Sequence, residues 1–276
     1  MKVRYFLLAI VLATGLTACS GASSKPKYTT PKEAYDKGKA LFDKKRYTEA
    51  VEFFKGVFDF GRTNEWADDA QYYLGMSYQA SKDYLMAEQE YQRFINLYRA
   101  DPRSIEAEYQ RLLCYGALSP DFELDQTDTE RAITSMNIFL QRYPDDSRNA
   151  KVSVMIREMR EKLGQKAFEA GKTYERRGYY QAAALSFEQV LDKYADTSWA
   201  DDALVGAIRT NILYAKNSVE SRQIERFEKA IQTYNRLVEL YPKSDLLKTA
   251  EGYYTQASQG IEAAKQALAA APKTKS

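Results

Sequence analysis

Side chains capable of acid–base or nucleophilic catalysis are scarce in this sequence. It contains no histidine, which excludes a Ser-His-Asp triad, a Cys-His dyad and a histidine-ligated zinc. Of its two cysteines, Cys114 lies in the apolar helical run YQRLLCYGAL. Without a histidine to activate it, we expect Cys114 to be a small buried filler. The sequence has no glycine-rich phosphate loop, and we expect neither a cofactor nor catalytic activity.

One stretch has spacing like that of a metal site. In SPDFELDQTDTE, residues 119–130, Asp121, Glu123 and Asp125 alternate as in a calcium loop. Such a loop needs glycine where Gln126 stands and a bidentate acid where Ala132 stands. We therefore predict a solvated loop between two helices, and no metal.

The second cysteine, Cys19, follows a segment that is typical of export. Lys2 and Arg4 precede an apolar run over residues 5–16, which is too short to cross a bilayer as a helix. This order is that of a secretory signal, and the LTAC stretch ending at Cys19 resembles a bacterial lipobox. We predict a signal peptide over residues 1–18, lipidation of Cys19 and a lipidated tether over residues 19–29. An ordinary signal peptide with a chance cysteine is the alternative.

The charge balance argues against a nucleic-acid partner. Removal of residues 1–18 takes away Lys2 and Arg4 and no acid, so the net charge falls from +2 to 0. A neutral chain lacks the basic surface that phosphate backbones require. The 22 tyrosines suit a protein whose interior and contact surfaces both use aromatic rings with a polar tip.

Three stretches of the chain can be aligned with one another. They are AYDKGKALFDKKRYTEAVEFFKGVF, QYYLGMSYQASKDYLMAEQEYQRFI and FEAGKTYERRGYYQAAALSFEQVL. In each, a glycine is followed 12 residues later by an alanine and 16 residues later by an aromatic ring. We expect glycine and alanine where two helices cross closely, with the ring filling the next gap. The sets are Gly38, Ala50 and Phe54; Gly75, Ala87 and Tyr91; and Gly171, Ala183 and Phe187.

This pattern resembles the tetratricopeptide repeat, a helix–turn–helix unit of about 34 residues. Two weaker copies have lost part of the first-helix pattern: one has Leu112 in place of the glycine, and the other contains Gly206. The sequence therefore predicts an all-α, right-handed superhelical solenoid of about five helix pairs, beginning with Thr30 as N-cap and Glu33 completing a capping box. A capping helix from Asp245 to about residue 271 and a disordered tail over 272–276 would follow. We predict insertions at 119–130 and 216–226; unrelated antiparallel helices are the alternative fold.

The first helices of such a solenoid line an inner face that suits an extended peptide. We expect residues one and four positions away from the glycines to lie on that inner face. Rings beside a lysine there suit an aromatic-rich peptide that ends in a carboxylate, although each tyrosine alone would also suit the core. The candidate residues are Tyr35, Lys39, Phe42, Tyr72, Met76, Gln79, Tyr109 and Leu113.

Several stretches resemble the BamD family, lipoproteins of the outer-membrane β-barrel assembly machinery. DQTDTERAITSMNIFLQRYPDDS resembles the family's central stretch with its Asp-Gln-Thr loop. LFDKKRYTEAVEFF and YERRGYYQAAALSFEQVLDKYADTSWADDAL resemble its first and fourth units. The resemblance covers nearly the whole mature chain. It implies a non-catalytic scaffold, lipid-anchored on the periplasmic face of the outer membrane.

The resemblance also implies partners and their positions. N-terminal repeats over 30–118 would receive the C-terminal segments of unfolded outer-membrane proteins. C-terminal repeats over 119–271 would hold the barrel-forming subunit, with its periplasmic domains, and other assembly lipoproteins would join them. Partner contacts would involve Arg176, Arg177, Tyr180 and Ser186. Some relatives carry an arginine where Ser186 stands, so that contact cannot form here in the same way.

Two other classes of function compete with this interpretation. One is a different envelope tetratricopeptide adaptor, for cell constriction or for pilus and secretin assembly. Such adaptors commonly have a coiled-coil start or lack the Asp-Gln-Thr insertion. The other is a carboxylate-based peptidoglycan hydrolase, which would need two acids converging in a cleft.

Overall fold

The structure is a computed structural model that describes residues 27–270. The predicted signal peptide, Cys19 and the tail after residue 270 lie outside the described residues. Within residues 27–270, no helix combines the length and apolar character needed to span a membrane. The helices there are α1 (Pro31–Asp43), α2 (Tyr47–Val57), a 3₁₀ turn (Phe58–Phe60), α3 (Ala67–Ala80), α4 (Tyr84–Leu97), α5 (Ser104–Leu118), α6 (Thr127–Arg142), α7 (Asn149–Arg176), α8 (Tyr180–Tyr194), α9 (Ala200–Lys216), α10 (Glu220–Leu240) and α11 (Leu247–Ala270).

These helices belong to two compact units that divide between Tyr98 and Arg99. In the first unit, α1 pairs with α2, α3 pairs with α4, and α2 packs against α3. In the second unit the pairs are α5 with α6, α7 with α8 and α9 with α10, and α11 packs on α10 and α9. The predicted all-α fold of five tetratricopeptide-like helix pairs and a final helix is confirmed. The predicted functional boundary after residue 118 falls inside the second unit and stays a prediction.

One of the two predicted insertions is mostly helical. Residues 119–126 of the first predicted insertion lie outside helices, and 127–130 begin α6. In the second, over 216–226, only residues 217–219 lie outside helices. Helix α10 begins at Glu220, and its early residues join the core, with Phe227 buried and Ile224 packed against it. The segment 216–226 is therefore mostly helical, and Ile224 and Phe227, three residues apart, lie on the core face of α10. That it is an insertion into the repeat stays a prediction.

The recurring glycines make room for an aromatic ring on the second helix of their own pair. A Cβ built on Gly38 would lie 2.9 Å from the ring of Phe54, and one on Gly75 would lie 2.9 Å from the ring of Tyr91. Both distances are too short for a real side chain. The nearest atoms to these glycines belong to the ring and not to the alanine one turn earlier. The alanines are buried as well, but the ring is what requires glycine.

Phe187 is held in this way from two sides. A Cβ on Gly171 would lie 2.7 Å from its ring, and one on Gly206 would lie 2.9 Å from it. We expected Gly206 to serve the fifth pair, yet it packs against the ring of the fourth. A stack of helix pairs explains this, because the first helix of each pair also covers the second helix of the pair before it.

The start of α1 is capped as predicted, with one difference. The Thr30 hydroxyl accepts a hydrogen bond from the Glu33 amide at 3.1 Å. The Glu33 carboxylate accepts from the amide of Thr29 at 2.7 Å, one residue before the N-cap. Its bonds to Lys37 and then to Thr29 lower the pKa of Glu33 to about 2.

We predict opposite effects for two glycine-to-alanine substitutions. Gly171→Ala should lower the free energy of unfolding by about 1–3 kcal/mol, because the new methyl group overpacks against Phe187. Gly252→Ala, in α11 with nothing within 4 Å of the added Cβ, should raise it by up to about 1 kcal/mol through helix propensity. Urea unfolding of both variants measures this. Equal stabilisation by the two would contradict the ring-on-glycine contact.

Candidate functional site

Aromatic rings from three helices meet on the first unit. Tyr35 on α1 lies 5.1 Å from Trp66 and 6.1 Å from Tyr73, measured between ring centroids. Phe42, also on α1, lies 5.3 Å from Tyr73. Phe54 on α2 stacks on Tyr73 at 5.6 Å, with 18° between the ring planes. We call Tyr35, Phe42, Phe54, Trp66 and Tyr73 the first-unit aromatic cluster.

Burial divides this cluster into a base and a surface. Phe54 is fully buried, whereas Tyr35, Phe42, Trp66 and Tyr73 are each half-buried. Part of each of these four residues therefore remains exposed. Aromatic and apolar ligand side chains gain most from such a surface, since they bury large areas against it.

Two lysines lie over these rings. The Lys39 ammonium lies 5.4 Å from the Tyr73 centroid, and the Lys32 ammonium lies 5.0 Å from that of Trp66. Lys39 also donates to both carboxylate oxygens of Asp43 at 2.6 Å, and this bond raises the pKa of Lys39. The cluster thus combines an apolar surface with two ammonium groups, each paired with a carboxylate, Lys39 with Asp43 and Lys32 with Asp36. A carboxylate at the end of an aromatic peptide could take the place of such a partner.

The second unit contains a close copy of part of this arrangement. Tyr35, Phe54 and Trp66 correspond to Phe168, Phe187 and Trp199, each 133 residues further along the chain. Trp199 lies 5.2 Å from Phe168, and Phe168 lies 5.4 Å from Phe187. Glycine and lysine recur at the same offset, as Gly171 and Lys172. These shared positions therefore belong to the architecture of the helix pair.

The copies differ at the two rings that complete the first-unit aromatic cluster. Glu175 stands where Phe42 would be, and Gly206 stands where Tyr73 would be. Glu175 accepts two hydrogen bonds from Arg209, both at 2.6 Å. Because the second copy packs without Phe42 and Tyr73, the fold does not require those rings. Their presence on the first unit favours a role in binding.

An open groove on the second unit runs beside the start of α8. Its volume is about 440 Å³. Tyr179 and Leu185 on its rim are 61% and 60% exposed. The Tyr214 hydroxyl donates to Gln181 at 3.0 Å, and the Arg226 guanidinium stacks 3.6 Å from the Tyr214 ring. We call this the α8–α9 groove; it is lined by Gly178, Tyr179, Tyr180, Gln181, Ala182, Leu185, Tyr214 and Asn217.

The sequence model of a family described as outer membrane lipoprotein (YfiO) matches residues 27–219. The chain belongs to this family, the BamD family. A tetratricopeptide repeat model matches residues 221–244.

Curated relatives carry the same family name. The chain is 26% identical over 220 residues to the outer membrane protein assembly factor BamD of Caulobacter vibrioides, covering 78% of this chain and 72% of that one. It is 27% identical over 215 residues to BamD of Rickettsia prowazekii, covering 77% and 86%. A tetratricopeptide repeat protein of Bacteroides fragilis of known structure is 14% identical, with a TM-score of 0.42, and covers 87% of this chain and 99% of that one.

The Asp-Gln-Thr stretch that resembles the BamD family shapes the loop between α5 and α6. Buried Gln126 donates to the carbonyls of Asp121 and Leu124, at 2.8 and 3.0 Å, and accepts from the Thr129 hydroxyl at 2.8 Å. The Lys166 ammonium donates to three successive loop carbonyls, those of residues 122–124. These bonds tie the loop to α7 through its backbone.

Two of the predicted peptide-binding residues belong to the first-unit aromatic cluster, a third lies over one of its rings, and three others lie on α3. Tyr35 and Phe42 are members, and Lys39 lies over Tyr73. Tyr72 packs 5.3 Å from Phe94, and Gln79 accepts a hydrogen bond from the Tyr91 hydroxyl at 2.6 Å. Both therefore join α3 to α4. Met76 is half-buried on α3.

The remaining two predicted peptide-binding residues lie in the second unit. Tyr109 packs against Phe139 and beneath Arg148, at 6.3 and 5.0 Å. Two hydrogen bonds from Arg148 lower the pKa of Asp146 to about 2 and hold the guanidinium over that ring. Leu113 lines a separate groove of about 430 Å³ between α5 and α7, with Met155 and Met159.

The predicted partner contacts lie near the α8–α9 groove, but only Tyr180 lines it. Arg176 and Arg177 are exposed at the end of α7, and Arg176 donates to Thr173 at 3.2 Å. Ser186 is half-buried on α8. The sequence prediction missed Tyr179, Leu185 and Tyr214 here, and Trp66 and Tyr73 in the first unit. The sequence did contain one signal for Trp66: the pentapeptide WADDA occurs at both 66–70 and 199–203, so each tryptophan holds the same position in a repeated unit.

Proposed function

We propose that this protein is a non-catalytic assembly factor for outer-membrane β-barrel proteins, acylated at Cys19 and held on the periplasmic face of the outer membrane. Membership of a family of outer membrane lipoproteins supports the location, and relatives named as outer membrane protein assembly factors support the role. The lipobox-like LTAC stretch supports the anchor. Two or more acyl chains would anchor the protein stably.

In this proposal the first-unit aromatic cluster binds the C-terminal segments of unfolded barrel proteins. The observation that carries it is the group of four half-buried rings beside Lys39, two of which the second copy of the same helix pair lacks. The rings would bury aromatic side chains of the substrate. Lys39 would take the terminal carboxylate in place of Asp43.

The α8–α9 groove binds the barrel-forming subunit in the same proposal. Its rim exposes two large apolar side chains, and the exposed Arg176 and Arg177 lie at the adjacent end of α7. Aromatic side chains and arginine are the residue types that carry most binding energy at protein interfaces. An apolar partner surface with acidic residues at its edge would complement this groove.

We predict that Lys39 recognises the peptide's free C-terminus. A fluorescent peptide with alternating aromatic residues and a C-terminal phenylalanine should bind about fivefold more weakly to Lys39→Gln, because one exposed charge contact is worth about 1 kcal/mol. Amidating the peptide should weaken its binding to the wild type by a similar factor. Anisotropy titrations measure both effects.

A matched control variant and a double-mutant cycle, which combines Lys39→Gln with the amidated peptide, complete this test. Lys172→Gln removes the corresponding lysine of the second copy and should leave affinity unchanged. The amidated peptide should lose no further affinity on Lys39→Gln. Additive losses, or an equal loss with Lys172→Gln, would contradict recognition of the carboxylate by Lys39.

The groove proposal predicts the outcome of co-purification from solubilised outer membranes. Wild-type protein should bring down a large barrel protein with periplasmic domains, and the double variant Tyr179→Ser/Leu185→Ser should lose it. Val238→Ser, at a 42% exposed residue of α10, is the control and should retain it. Retention by the double variant would rule out the groove, and capture of a constriction or secretin component instead would favour a different adaptor role.

A further inference from the structure

The segment before the first helix packs onto the first unit instead of continuing as a tether. We predicted a tether through residue 29, yet the ring of Tyr28 lies 6.4 Å from that of Phe53 and 6.1 Å from that of Phe60. Its hydroxyl donates to Asp59 at 2.5 Å. Tyr28 thereby joins the start of α1 to the end of α2 and the 3₁₀ turn.

Gly56 makes this contact possible. A Cβ at residue 56 would lie 2.3 Å from the ring of Tyr28. Gly56 lies within α2, where alanine would favour the helix, and the three nearest atoms to that Cβ all belong to Tyr28. The glycine therefore serves the contact with the pre-helical segment, in the same way that Gly38 serves Phe54.

Backbone bonds hold the residues on both sides of Tyr28. The Lys37 ammonium donates to the Lys27 carbonyl at 2.7 Å. The Thr29 amide and hydroxyl both donate to Glu33, at 2.7 and 2.9 Å. The hydrogen bond to Asp59 also raises the pKa of Tyr28 to about 12, so the phenol stays protonated at neutral pH. We call residues 27–30 the Tyr28 strap.

We propose that the Tyr28 strap fixes the point at which the lipid tether leaves the folded body, so that the end of the first unit formed by Tyr28, Gly56 and Phe60 faces the membrane surface. This inference rests on acylation of Cys19 in the proposed function. It names the lipid surface as the partner, because the chain that would carry the anchor leaves from this end of the unit.

The length of the tether makes this position matter. Cys19 and Lys27 are eight residues apart, which allows a reach of at most about 26–29 Å. Release of the strap as far as Thr30 would extend that reach by about 10 Å. Helix α1 has 13 residues and is therefore about 20 Å long, so its far end at Lys44 would lie well away from the exit point.

Two variants release the strap by independent routes. Tyr28→Ala removes the ring, and Gly56→Ala expels it while strengthening α2. Trypsin measures release directly: Lys25 precedes proline and resists cleavage, so Lys27–Tyr28 is the first susceptible bond after Cys19. Both variants should raise the rate of cleavage after Lys27 at least several-fold, and Gly252→Ala should not.

The decisive experiment uses the full lipidated protein in vesicles of phosphatidylethanolamine and phosphatidylglycerol. Fluorophores are placed by Thr63→Cys, three residues after Phe60, or by Lys44→Cys, and energy transfer to labelled headgroups gives each distance. Cys114 is fully buried, so labelling is confined to the introduced cysteine. Thr63 should be nearer the membrane than Lys44 by about 10–20 Å, and both strap variants should reduce that difference.

The outcomes separate this inference from the proposed anchor. If mass spectrometry finds no lipid on Cys19 and the protein does not bind the vesicles, the anchor fails and the strap proposal fails with it. If Cys19 is acylated but the two probes are equidistant in the wild type, only the strap proposal is overturned. The same holds if Tyr28→Ala and Gly56→Ala leave the difference unchanged.

Discussion

An aromatic ring packed on a glycine of the neighbouring helix is the contact that recurs in three of the five helix pairs. The first helix has a glycine at this position, and a ring of the second helix occupies the space that a side chain would fill. The pairs are Gly38 with Phe54, Gly75 with Tyr91 and Gly171 with Phe187. Glycine weakens a helix by about 1 kcal/mol relative to alanine. A fully buried ring returns more than that, since burying a large apolar side chain contributes about 1.5–3 kcal/mol.

The same contact positions the candidate peptide-binding surface. Phe54, fixed on Gly38, supports Tyr35 from one side and stacks against Tyr73. The half-buried rings therefore rest on a rigid base, which limits the entropy they lose on binding. Lys39 and Asp43 form a largely exposed pair, and such pairs contribute only about 0–1 kcal/mol. A peptide carboxylate can thus replace Asp43 at little cost, which suits reversible capture.

The sequence predicted the helix pairs well because glycine, alanine and ring recur at fixed spacing. It predicted the site less well, because neighbouring helix positions differ by about 100°. Choosing Tyr72 instead of Tyr73 therefore selected a ring that packs against α4. Trp66 lies just before α3, outside the helical periodicity, and Tyr28 lies in a stretch whose small polar composition indicates a linker. The Tyr28 contact is visible only once α2 and the 3₁₀ turn are folded beside that stretch.

The two tryptophans of this chain allow a direct test of peptide capture by the first unit. Trp66 belongs to the first-unit aromatic cluster, and Trp199 occupies the corresponding position of the second copy. Protein labelled with 5-fluorotryptophan should give two ¹⁹F resonances, assigned with Trp66→Phe and Trp199→Phe. On titration with a C-terminal aromatic peptide, the Trp66 resonance should shift saturably while that of Trp199 stays in place. A peptide that binds and leaves the Trp66 resonance unmoved would contradict the account.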